Sequence, residues 1–124
     1  MSGSEAQALQ ATARHLMVAL ESYEPHVRDL VAGWLDMDLY LTVSAEIDDL
    51  KLCCSTLPEL SLPWVSLLIS HAELVHCLWR NSQPVPPRPS EVERRLNEHL
   101  ESVHWLRARA RRIAGAEPAR AHSS

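Results

Sequence analysis

The sequence predicts an all-α protein, and three observations carry that prediction. Glycine occurs only at positions 3, 33 and 115. The prolines gather at 25, 58, 63, 84, 86, 87, 89 and 118, leaving long stretches without a breaker. Within those stretches apolar residues recur at alternating spacings of three and four, the period of a helix that buries one face. Together they favour a compact up-down antiparallel bundle of four main helices, with room for a fifth short one. A chain of 124 residues supports one hydrophobic core, so residues 1–114 are expected to form a single domain and residues 115–124 a disordered tail.

The first helix starts at Ser4, which with Gln7 forms a capping box. Its stripe is Ala6, Leu9, Ala13, Leu16 and Leu20, and its end is expected near Tyr23. Pro25 suits the first turn of a second helix, in which Val27, Leu30, Trp34, Met37 and Leu41 repeat the spacing. From Thr42 to Leu57 no glycine or proline intervenes. The second helix either runs on or bends near Thr42-Val43-Ser44 into a separate short helix, residues 44–56, carrying Ile47, Leu50 and Cys54. Pro58 and Pro63 close that segment, and Ser61 is placed to cap a third helix with the seam Trp64, Leu67, His71, Leu74 and Leu78. The run Pro84-Val85-Pro86-Pro87-Arg88-Pro89 reads as a stiff connector. Ser90 and Glu93 make a second capping box, and Val92, Leu96, His99, Val103, Leu106, Ala110 and Ile113 form the last seam before Gly115 stops the helix.

Short connections favour antiparallel neighbours, so the seams can be paired. Around the proline-rich connector Leu78 meets Val92, Leu74 meets Leu96, His71 meets His99, Leu67 meets Val103 and Trp64 meets Leu106. A similar hairpin about Pro25 pairs Leu20 with Leu30, Leu16 with Trp34, Ala13 with Met37 and Leu9 with Leu41.

Net charge is −4 and the pI about 5.9, which disfavours a protein devoted to neutralising a nucleic acid backbone. The charge is unevenly spread. Residues 1–79 hold three basic groups against eleven acidic ones, and residues 80–124 hold nine arginines against five acids. Complementarity inside the bundle is the simplest use of that asymmetry, and orientation of a partner is another. Three cysteines, two adjacent at Cys53 and Cys54, do not make a disulfide framework and suit a reducing cytoplasm. The first residues lack the basic and apolar parts of an export signal, and no apolar run approaches the roughly 20 residues of a spanning helix. A cytoplasmic location without membrane contact is therefore expected.

Phosphate-loop, nucleophile-elbow, zincin and CxxC motifs are absent from the sequence, so no catalytic residue, cofactor or bound metal is expected. Glu73-Leu-Val-His76 and Glu101-Ser-Val-His104 have the Glu-x-x-His spacing of di-iron bundles, but the helical wheel turns both away from the predicted seams. His71 and His99 lie on the seams and share a layer. They are expected as a buried polar pair, hydrogen-bonded to each other or to a buried hydroxyl. A metal completed by Asp38, Cys53 or Cys54, or a pH response, is the alternative. Cys53, Cys54 and Cys77 read as structural thiols.

Trp105 places a large indole on the otherwise polar face of the last helix, among Arg94, Glu98, Glu101, Arg109 and Arg112. A tryptophan ringed by arginines is an interface anchor, unless it packs on the tail or another helix. The expected function is thus a non-enzymatic interaction module, adaptor or chaperone-like, that binds another protein or itself as a homodimer through the last helix. The alternative is a metal- or ligand-responsive bundle built on His71 and His99. A third is a regulator that contacts RNA or DNA through Arg107, Arg109, Arg111 and Arg112, although the dipole at a helix C-terminus already favours cations there.

Overall fold

The computed structural model describes residues 3–80 and 88–115. Four α-helices and one 3-10 turn follow in order: α1 (Gly3–Ala32), α2 (Met37–Ser55), the turn (Pro58–Leu60), α3 (Ser61–Arg80) and α4 (Pro89–Ala114). The described residues contain no strand, and no helix among them is long and apolar enough to cross a membrane. Most of the proline-rich connector, residues 81–87, and the tail from residue 116 lie outside the described residues.

The hairpin expected about Pro25 does not form. Helix α1 is one element of 30 residues that passes through Pro25. Proline there removes a backbone donor and crowds the preceding turn, at a typical cost of about 3 kcal/mol. The stripe on both sides of it outweighs that cost: Leu16, Leu20, Tyr23, Val27 and Leu30 are all buried on the same face. Leu20 and Leu30, or Ala13 and Met37, are therefore not facing pairs. The chain turns at residues 33–36 instead, where Gly33 donates its N–H to the Asp29 carbonyl at 2.8 Å. Asp36 then caps α2 by accepting the Leu39 N–H at 3.1 Å.

Helix α2 runs without interruption through Thr42-Val43-Ser44, so the separate short helix is absent. The Thr42 hydroxyl donates to the Asp38 carbonyl at 3.0 Å, which satisfies it inside the helix. This helix buries Val43, Leu50 and Cys54, while Met37 and Leu41, expected inward, face out. Pro58 opens the 3-10 turn that feeds directly into α3, so Ser61 is the first helical residue of α3 rather than its cap. Helix α4 begins at Pro89 behind an extended Arg88, one residue before the expected capping box, because proline at the first helical position needs no partner for an N–H. Gly115 ends α4 and donates to Arg111 at 2.8 Å.

The core is one cluster drawn from every helix, and α4 packs against both α1 and α3. Cross-helix contacts fix the α3–α4 register. Arg80 meets Glu91, Glu73 meets Arg95, Ser70 meets His99 and Ser66 meets Ser102, so each step back along α3 is matched by a step forward along α4. Against α1, Arg107 donates to Glu21 at 2.8 Å and His104 meets Glu24 at 3.2 Å. Burial raises the Glu24 carboxyl, but hydrogen bonds from Arg28 and His104 outweigh it and hold the group below its ordinary value. Thus Glu21 and Glu73 of the acidic part engage Arg107 and Arg95 of the basic part. At the α1–α2 turn, Trp34, Tyr40 and Trp79 pack edge to face with ring centroids 5.0 to 6.2 Å apart, joining that turn to the end of α3.

Candidate interaction surface

Two sets of side chains stand out, one inside the bundle and one outside it. Inside, three helices meet in a hydrogen-bonded chain. The Tyr23 hydroxyl of α1 lies 2.7 Å from Nε2 of His99 and 3.2 Å from Nδ1 of His71. On the other side of the His99 ring, Nδ1 lies 2.7 Å from Oγ of Ser70, which also reaches the Leu67 carbonyl at 3.1 Å. The two imidazoles are 5.6 Å apart between ring centroids, so they share the layer that the α3–α4 pairing predicts.

One placement of protons satisfies all four contacts. Ser70 donates to Leu67 and accepts from His99 Nδ1–H, Tyr23 donates to His99 Nε2, and its oxygen accepts from His71 Nδ1–H. Both imidazoles are then neutral, which agrees with their surroundings. Burial pushes His71 down to about 4, and burial with the neighbouring His71 pushes His99 down to about 3. The Tyr23 phenol is raised by burial and by the charge of Glu46. In this arrangement His99 presents a proton, not a lone pair, to the Ser70 hydroxyl. Ser70 also lies mid-helix, where neighbouring amides are committed to helical bonds.

The other residues considered for a metal are elsewhere. Asp38 is exposed, Cys53 is half-buried and Cys54 is buried on α2. No group of three or more His, Cys, Asp or Glu side chains comes together among the described residues. In the Glu-x-x-His segments Glu73 pairs with Arg95, His104 with Glu24, and His76 and Glu101 are exposed. Burial raises all three thiols, that of Cys54 to about 12, so they stay protonated.

Outside, the structure divides the expected patch on α4. Trp105 is 40% exposed and shares an open groove with α3, whose walls include Leu62, Val65 and Ile69 and whose floor includes Ser66 and Ser102. Those two serines are joined at 2.9 Å. Glu98 lines the same groove, and Arg94 pairs with Glu98 at 3.1 Å beside it. Glu101 is exposed one turn before Trp105. Arg109 and Arg112 instead border a second pocket of about 750 Å³, lined with Leu9, Leu57, Leu60 and Ile113. The two arginines therefore do not ring Trp105. The contributions of α3 escaped sequence reasoning, which assigned that helix a single inward seam. Leu62 at 71%, Ile69 at 55% and Val65 at 47% exposure were nevertheless present as a second apolar repeat.

Comparison with protein-family models, with curated proteins and with solved structures finds no match for this chain.

Proposed function

We propose that the protein is a non-enzymatic interaction module, an adaptor or chaperone-like bundle, that engages another polypeptide or a second copy of itself through the joint surface of α3 and α4. The observation that carries this reading is the apolar groove formed by Leu62, Val65 and Ile69 against Trp105. Large aliphatic residues exposed to this extent beside an indole form a contiguous patch, and such patches mark association sites. Glu73, Arg95 and Glu98 supply a polar rim. The cross-helix pairs support an up-down antiparallel order of the helices, in which α3 and α4 lie side by side beneath this groove.

The histidine pair supports stability more than response. Both ring nitrogens of His99 and Nδ1 of His71 are engaged by Tyr23 and Ser70, so a metal shared by the two rings through His99 would have to displace one of those bonds. The Ser70–His99 contact lacks both an available base and free amide donors, which favours the non-enzymatic reading.

Native mass spectrometry on gently isolated protein tests the proposal. The wild-type spectrum should contain species heavier than one chain, and Trp105→Ala should reduce them at least about tenfold with the helical circular dichroism unchanged. Single chains alone from the wild type, or full retention by Trp105→Ala, would overturn it.

A further inference from the structure

Helix α3 carries a second stripe besides the one it buries in the core. Leu62, Val65, Ile69, Ala72, His76 and Trp79 follow one another at spacings of 3, 4, 3, 4 and 3, and every one of them is exposed. At 1.5 Å per residue the stripe extends over about 25 Å of one helix face. It holds no formally charged residue. The nearest acid, Glu73, is neutralised within its own chain by Arg95 at 3.3 Å.

The order of spacings reads the same in both directions, so in an antiparallel pair about a twofold axis every stripe residue falls opposite another stripe residue. Two antiparallel copies of α3, centred between Ile69 and Ala72, bring Leu62 opposite Trp79, Val65 opposite His76 and Ile69 opposite Ala72. Each pair sets a smaller side chain against a larger one, so the seam interlocks and the helices approach closest at the alanine. Trp105, which lies beside Leu62 and Val65, would flank His76 and Trp79 of the second copy. An aromatic side chain buries about 150–250 Å². With the exposed fractions of the stripe and of Trp105, two copies together would cover on the order of 1,000 Å², the lower bound for a specific interface.

We infer that the occupant of this surface is a second copy of the chain, held as an isologous dimer through antiparallel α3 helices in that register. This rests on the interaction reading above and names its partner.

Sedimentation of the full chain tests it by charge substitution across the twofold. The wild type should be a dimer at micromolar concentration. Val65→Glu should weaken the dimer at least about 100-fold, since it carries two carboxylates into an apolar seam where each faces only the His76 imidazole and no fixed cation. Adding His76→Lys should recover at least about tenfold. Residues 65 and 76 are too far apart on one helix to pair, so the ammonium can reach the carboxylate only across the interface. If Val65→Glu loses helical dichroism, Ala72→Arg replaces it with the same expected loss. A Val65→Glu variant that stays dimeric would overturn the interface, and a double variant that stays monomeric would overturn the register. A wild type monomeric at every concentration would overturn the dimer. If such a monomer releases a foreign chain on Trp105→Ala, the interaction reading survives. If it retains nothing, both fail.

Discussion

Helix α3 is apolar on two sides, but only its inward side, where Leu67, Leu74 and Leu78 enter the core, also holds a hydrogen-bonded polar centre. On the inward side Ser70 and His71 join His99 and Tyr23 in a chain of hydrogen bonds. Ser70, His99 and Tyr23 are buried, while His71, expected to be buried with its partner, is half-buried at the edge. On the outward side Leu62, Val65 and Ile69 are among the most exposed apolar residues described. A buried hydrogen bond contributes little while intact but costs its full desolvation when one partner is removed, whereas an exposed aliphatic side chain can be replaced at almost no cost to the fold. The two faces should therefore answer mutation in opposite ways: the inward one through folding, the outward one through association.

The sharpest test of the inward face is Tyr23→Phe, which deletes one oxygen and keeps the ring. His99 Nε2 then loses its donor in a fully buried position and His71 Nδ1 its acceptor in a half-buried one. The expected loss is about 2–4 kcal/mol in chemical denaturation. A loss below about 0.5 kcal/mol would show that the chain of hydrogen bonds does not hold the three helices together.

Acid stability gives the next largest effect, and its sign follows from the direction of the histidine shifts. In the unfolded chain both imidazoles take up a proton near 6.5, while in the fold His71 resists until about 4 and His99 until about 3. Above pH 6.5 both states are neutral and stability is full. As pH falls below that, the unfolded state binds more protons, so stability drops until the folded values are passed. The expected decline between pH 6.5 and 4 is on the order of a few kcal/mol, given about 1.4 kcal/mol per pKa unit. His99→Leu should flatten the slope, because it removes the group whose folded value lies farthest below its unfolded one, while Ser70 keeps its bond to Leu67. An unchanged slope in that variant would place the acid sensitivity elsewhere.

The same contrast explains what could be read from the sequence. The shared layer of His71 and His99 was legible because α3 and α4 each carry a continuous stripe at spacings of three and four, and helices close in sequence favour antiparallel packing. Their partner Tyr23 was not, since Pro25 suggested that α1 stopped there. Proline sets a local cost, and whether a helix continues depends on the burial of both flanks, which is a tertiary quantity. Trp105 was visible as an indole on a polar face. The groove beside it was hidden because α3 is apolar on two sides, and periodicity alone does not say which of two stripes faces the core. Arg109 and Arg112 share the Trp105 face of α4 by angle, yet the 3-10 turn and the start of α1 flank them, and only packing separates the two surroundings.

The smallest expected effect completes the comparison. Ile69 is 55% exposed at the middle of the outward stripe, so Ile69→Ser removes apolar surface that the isolated chain already leaves in water. Thermal or chemical unfolding measured well below the concentration of self-association should change by no more than about 0.5 kcal/mol. At high concentration the wild type should gain stability by mass action, because a dimer binds only the folded chain, and Ile69→Ser should not. A concentration-dependent gap between the two proteins would assign the stripe to association. A gap of 2 kcal/mol or more already present at high dilution, the size expected of a large-to-small core substitution, would instead make the outward face of α3 part of the core.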